Sequence, residues 1–180
     1  MNVTETKLKG VFIIEPVVFN DHRGFIYEFY QQEKFKEAGI TCSFVQDNHS
    51  RSKQGVLRGL HFQAEPYGQA KLVRAVQGKI FDTAIDLRKG SPTFGQWTGA
   101  ILSNENKKML FIPDGFAHGF YVLSNTADVH YKCSRYYRPE AERSIIWNDP
   151  QLAIDWPLIN NQPPILSLKD AEAPLLKDLL

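Results

Sequence analysis

The chain has 180 residues, 43% hydrophobic and 12% aromatic, with a formal net charge of +1. That length suits one domain with a substantial core, and the near-neutral balance excludes a chain-wide footprint for nucleic acid or an anionic membrane, so any anion site has to be local. Two cysteines, Cys42 and Cys133, are too few for a disulfide framework, no run reaches membrane-spanning length, and MNVTETKLKG lacks the apolar centre of a signal peptide. The expectation is a single cytoplasmic domain covering 1–180.

In chain order, GVFIIEPVVF (10–19) reads as an edge strand broken by Pro16, and NDHRG (20–24) as a turn. FIYEFY (25–30) alternates and sets Glu28 between aromatics, and QQEKFKEAG (31–39) reads as a short helix stopped at Gly39. TCSFVQDNHSRSKQG (41–55) begins as a strand and becomes a polar segment ending in a hairpin signal. Next comes GVLRGLHFQAEPYGQAKLVR (55–74), the most informative stretch. Val56, Leu57, Leu60, Phe62, Leu72 and Val73 are suited to a core, leaving Arg58, His61, Lys71 and Arg74 to gather on a cavity. Taken singly, those polar residues belong to a β-hairpin with the loop AEPYGQ. Taken together, a histidine among cations on short strands reads as an anion site with a general base.

A turn at Gln77-Gly78 precedes an alternating strand, and KGSPTFG is a second turn cluster. TGAILSNENKKMLFIPDGFAHGFYVLSN (98–125) supplies three more strand-like pieces, with His118 between small neighbours that let a ligand approach the backbone. In ADVHYKCSRYY (127–137), alternation places Val129, Tyr131, Cys133 and Arg135 on one face and His130 and Lys132 on the other. A tyrosine facing a barrel interior needs a partner for its hydroxyl, and a solvated cleft would leave it usable as an acid. RPEAERSIIWNDPQLAIDWP (138–157) holds one more strand, and SLKDAEAPLLKDLL (167–180) starts a C-terminal helix with a Ser167–Asp170 capping pattern. Short strands at even spacing make this a β-sandwich or barrel.

No glycine-rich nucleotide loop of the usual spacing is present. Metal-binding proteins of the β-barrel class commonly carry two histidines one residue apart, and LHFQ has Gln63 where the second would stand. The expectation is no metal and no cofactor.

LRGLHFQ, QAKLVRAVQG, DLRKGSPTFGQW, IPDGFAHGF, YKCSRYY, WNDPQLAIDWP and LSLKD, in that order, resemble the successive motifs of the dTDP-4-dehydrorhamnose 3,5-epimerases, over about Gly10 to Leu176. The resemblance implies an all-β, cupin-type double-stranded β-helix (a jelly roll) with a few short peripheral helices, as a homodimer exchanging N-terminal strand segments. It implies a dTDP-4-dehydro-6-deoxy-sugar substrate epimerised without a cofactor at C3 and C5, both alpha to the C4 ketone. By position, His61 resembles the family's base, Asp170 its carboxylate partner, Tyr131 the acid and Lys71 the cation beside the C4 oxygen. Arg23, Glu28, Gln46, Asp47, Asn48, Arg58, Gln63, His118, Glu142 and Lys169 match substrate-binding positions, and Tyr137 a position near the thymine. One departure is His130, where an apolar residue is expected; alternation from Tyr131 turns it outward. Alternatives left standing are an epimerase of one carbon only, a cupin-like sugar-nucleotide binding module without catalysis, and a metal-dependent cupin.

Overall fold

The computed structural model describes residues 1–179, which form two antiparallel sheets packed face to face. The strands are β1 (Asn2–Glu5), β2 (Phe12–Glu15), β3 (Val18–Asp21), β4 (Gly24–Tyr27), β5 (Gln46–Lys53), β6 (Leu57–Gln63), β7 (Lys71–Gln77), β8 (Lys79–Asp86), β9 (Trp97–Ser103), β10 (Met109–Ile112), β11 (Phe116–Val122), β12 (Thr126–Cys133) and β13 (Glu142–Ser144). A six-stranded sheet runs β1-β2-β10-β7-β12-β5 and a five-stranded sheet runs β13-β6-β11-β8-β9. β3 and β4 form a separate hairpin. This is the expected all-β jelly-roll architecture.

Three apolar layers hold it. Val73, Leu110 and Val129 from the six-stranded sheet meet Ile80, Leu102 and Phe120 from the other, filling the space between the sheets. Behind the five-stranded sheet, Leu57, Leu60, Ile85 and Tyr121 pack on Ile145, Leu152, Trp156 and Leu176 of the C-terminal segment. Behind the six-stranded sheet, Ile14, Leu72, Met109 and Phe111 are covered by Phe35 and Ile40. Phe35 is the buried residue of α1 (Gln32–Glu37), which Gln31 caps by accepting from the Lys34 amide; Gly39, at φ +90°, ends the turn as expected.

Several expectations change. β2 is not an edge: β1 pairs outside it, and Pro16 lies just past its end, where no ladder bond is lost. In 41–55 the strand is the polar part, β5, and not the start. β6 and β7 do not form a hairpin, because residues 64–70 carry the chain from one sheet to the other. The C-terminal helix is only α2 (Leu168–Ala171), capped by Ser167, followed by a separate single turn at Leu176–Asp178; residue 180 lies outside the described residues.

The β8–β9 connection is tied by one buried carboxylate. Asp86 accepts from Arg88 Nε and Nη2 (2.9 and 2.7 Å), from the Ser91 and Thr93 hydroxyls (both 2.6 Å) and from the Arg88 amide (3.0 Å). Burial raises its pKa, but the hydrogen bonds prevail and hold it well below the usual carboxylate range. Asp86→Ala is expected to cost roughly 3–5 kcal/mol, because it strands the Arg88 charge and two hydroxyls, and urea unfolding measures it. The linkage sign follows from the lowered value. The stabilisation is complete above the ordinary aspartate pKa and is lost only as pH falls through the lower folded one.

Candidate active site

The sheets leave a polar cavity between them at the end where β6, β11 and β13 face β5, β7 and β12. His61, Lys71 and Tyr131 are common to both of its parts. The deep chamber, about 230 Å³, is completed by Ser50, Arg58, His118 and Phe120. The mouth is lined by Gln46, Asn48, Gln63, Gln69, Cys133, Tyr137 and Glu142, among others. His61 stands on the five-stranded sheet, and Lys71 and Tyr131 on the six-stranded one.

A local irregularity brings Arg58 and His61 to the same face. Three residues apart on a regular strand, they would point to opposite sides. The β6–β11 register pairs His61 with His118 but Arg58 with Phe120, so Gly59 and Leu60 together oppose Gly119. That bulge resets the alternation. It also needs glycine: Gly59 has φ +129°, and a Cβ there would lie 2.6 Å from Gly119 Cα.

His61 Nε2–H donates to Asp170 Oδ1 at 2.6 Å. Asp170 is buried in the first turn of α2, where its amide donates to Ser167 Oγ at 3.1 Å. Burial raises the Asp170 pKa, yet the His61 bond and charge outweigh it and keep the group below the usual range. The carboxylate therefore stays ionised, fixes the imidazole's tautomer and leaves Nδ1 as the basic nitrogen. Facing it, Tyr131 is pushed above the usual phenol range by burial, so it retains its proton at neutral pH. Lys71 is half-buried; desolvation lowers its pKa, opposed by Cys133, Asp82 and Glu142. At the mouth, the Tyr137 hydroxyl donates to Glu142 Oε2 at 2.7 Å, and the same carboxylate pairs with Lys169. Arg58 Nε donates to Ser52 Oγ at 3.0 Å.

Of the residues singled out in the sequence, His61, Lys71, Tyr131, Gln46, Asn48, Arg58, Gln63, His118, Tyr137 and Glu142 line the cavity, with Asp170 and Lys169 immediately behind. Four do not meet it within the chain. Asp47 is on the outer face of β5, paired with Lys132 at 2.8 Å. Arg23 is on the β3–β4 hairpin, bound to Asp21 at 2.6 Å, and Glu28 pairs with Lys34 at 2.8 Å. Arg74 is likewise outside, its guanidinium 3.7 Å from the Phe29 ring centre and donating to the Tyr27 hydroxyl. His130 faces outward as alternation predicts, edge-on to Phe29. Asp82, Ser50, Gln69 and Phe120 were not anticipated. Asp82 had one visible signal, an acid inside the otherwise apolar run KIFDTAI.

A model of the family described as dTDP-4-dehydrorhamnose 3,5-epimerase matches residues 5–178. The dTDP-4-dehydrorhamnose 3,5-epimerase of Salmonella typhimurium is 55% identical over 100% of this chain and 98% of its own. The chain belongs to the dTDP-4-dehydrorhamnose 3,5-epimerase family. It is accordingly an isomerase of that type. The structure of the dTDP-6-deoxy-D-glucose-3,5-epimerase RmlC from Legionella pneumophila, in complex with dTDP-4-keto-L-rhamnose, is 56% identical with TM-score 0.94, covering 98% of this chain and 93% of that one. The similarity extends to ChmJ, a 3′-monoepimerase from Streptomyces bikiniensis in complex with dTDP-quinovose, at 36% identity and TM-score 0.89 over 96% and 86% of the two chains. Among the described residues no helix is long and apolar enough to cross a membrane.

Proposed function

We propose that this protein converts dTDP-4-dehydro-6-deoxy-glucose to dTDP-4-dehydro-L-rhamnose by inverting C3 and C5, in dTDP-L-rhamnose biosynthesis in the cytoplasm. The observation that carries this is the His61–Asp170 pair, 2.6 Å apart, set across one cavity from Lys71 and Tyr131. His61 Nδ1 takes the proton alpha to the ketone. The C–H bonding pair becomes the enolate, whose negative O4 lies against the Lys71 ammonium. Tyr131 delivers its proton to the carbon from the opposite ring face as the ketone re-forms, which inverts the centre. His61 then releases its proton to solvent and the Tyr131 phenolate regains one, so every inversion draws hydrogen from water. Net, one C–H bond is broken and one is made, with no redox change and no cofactor. Arg58 holds the diphosphate, the amides at the mouth hold the sugar and nucleoside, and the Tyr137 ring stacks on the thymine.

The active form is a homodimer, with Arg23 and Glu28 delivered to the mouth by the hairpin of a second copy. Supporting this, the hairpin is strongly apolar where it meets solvent, with Phe19 65%, Phe25 57% and Ile26 73% exposed. A monomer mass at sedimentation equilibrium would remove this part of the proposal.

Proton NMR of the substrate with enzyme in D₂O tests the reaction. Deuterium at C3 and C5 with the L-configured product is expected. Label and inversion at C3 alone would make the protein a single-carbon epimerase, and no label despite dTDP binding would leave a binding module. Tyr131→Phe is expected to slow epimerisation by ~10²–10⁴-fold while wash-out of the alpha proton is slowed less. Exchange and inversion falling in step would show that Tyr131 does more than return the proton.

A further inference from the structure

The cavity holds a second histidine–carboxylate pair. His118 stands across the β6–β11 ladder from His61, and its Nε2 lies 2.7 Å from Asp82 Oδ1 on the adjacent β8. Asp82 is wholly buried and His118 is 6% exposed. Burial lowers the His118 pKa; Asp82 opposes this, while the Lys71 and His61 charges add to it. The ring is therefore neutral and owns a single N–H, which it gives to Asp82. Nδ1 has no hydrogen-bond partner among the described residues and is the nitrogen left for the deep chamber.

Asp82 also differs from the structural carboxylate of the fold. Asp86 binds five donors, whereas Asp82 holds His118 through one oxygen and leaves Oδ2 buried with no partner among the described residues. A fully buried carboxylate with half its capacity unused is a poor structural tie. Its single bond is to a ring that lines the deep chamber.

We infer that Asp82 is a positioning residue that locks His118 as the neutral Nε2–H tautomer, so that Nδ1 accepts a hydrogen bond from a ring hydroxyl of the bound hexulose. This rests on the epimerase reading above and extends it to ring orientation. Lys71 and Arg58 only donate, so they attract the ketone and phosphate oxygens; His118 in this tautomer only accepts there, so it rejects those oxygens and takes a hydroxyl. The chamber thereby sorts the two edges of the sugar. The ketone goes to Lys71 and a hydroxyl to His118, which holds the alpha protons toward His61.

Long-range ¹⁵N–¹H correlation spectra of the wild-type protein at neutral pH read the tautomer without any turnover. The expected result is a neutral His118 protonated on Nε2; a charged ring or the Nδ1–H form overturns the inference. In Asp82→Asn, whose amide can present either end to the ring, a second tautomer is expected. kcat/KM for the hexulose should fall roughly ten-fold or more with dTDP affinity unchanged, the scale of one hydrogen bond to a buried group. The deficit should shrink on the 2-deoxy or the 3-deoxy analogue. An equal deficit on both analogues, a variant that keeps the Nε2–H form yet loses activity, wild-type turnover, or a parallel loss of dTDP affinity each overturns it. A wild-type protein that exchanges neither alpha proton would sink the epimerase reading instead, with the tautomer still measured.

Discussion

His61→Ala is expected to lower kcat by ~10²–10⁴-fold and to stop deuterium entry at both carbons, while dTDP still binds. The size of the effect follows from the pairing. Protons alpha to a ketone are weakly acidic, so their removal depends on a base whose accepting nitrogen is already aimed. Asp170 supplies that aim by holding the ring N–H on Nε2 through one bond of 2.6 Å, and the Ser167 cap keeps the carboxylate in place. Binding should be spared, because the proposed mechanism assigns the phosphate and nucleoside to other residues, on the walls and at the mouth. Single-turnover kinetics with a dTDP titration separates the two. Near-wild-type turnover would remove His61 from the chemistry, and loss of dTDP affinity in proportion to rate would make it a structural residue.

Lys71→Met is expected to cost ~10²–10³-fold in kcat, the range for losing a donor that stabilises a developing oxyanion. Methionine keeps the length of the chain and removes only the charge. The wild-type enzyme is expected to show a related signature in its pH dependence. Desolvation draws the Lys71 pKa below the ordinary lysine value, with Cys133, Asp82 and Glu142 opposing. His118 and Arg58 face it from the other sheet, with Tyr131 beside it on β12. The ammonium is the active form, so kcat falls as pH rises through that lowered value, and the variant should lack this limb. A variant that retains the alkaline limb would assign it to another group.

The local signals in the sequence were those enforced by local chemistry. α1 is readable because Gly39 stops it, and β12 because its alternation is regular around Tyr131. β5 was hidden because its inner face, Gln46, Asn48 and Ser50, looks at a polar cavity, so no apolar alternation marks it. β6 and β7 resemble a hairpin in sequence, and only packing decides that they belong to different sheets. Lys71 and Arg74 read as one cationic group in the sequence, yet they are three residues apart on a regular strand, and parity separates them. Arg58 and His61 have the same spacing and do share a face, because the bulge at Gly59 and Leu60 intervenes. The roles of Asp170 and Glu142 came from family resemblance, since locally one is a helix-cap residue and the other a surface acid.

His61 and Tyr131 are mounted on opposing sheets, so on the proposed mechanism the spacing of those sheets works as a calliper on the sugar ring. Facing sheets pack about 10 Å apart. That gap is filled by Val73, Val129, Phe120 and Leu102, of which only Phe120 also lines the chamber. A misplacement of about 1 Å at a reacting centre can cost roughly 10²-fold in rate, and a packed interior feels a change of one methylene. On the proposed mechanism the interior of this protein is under two demands at once, to hold the fold and to gauge a hexose.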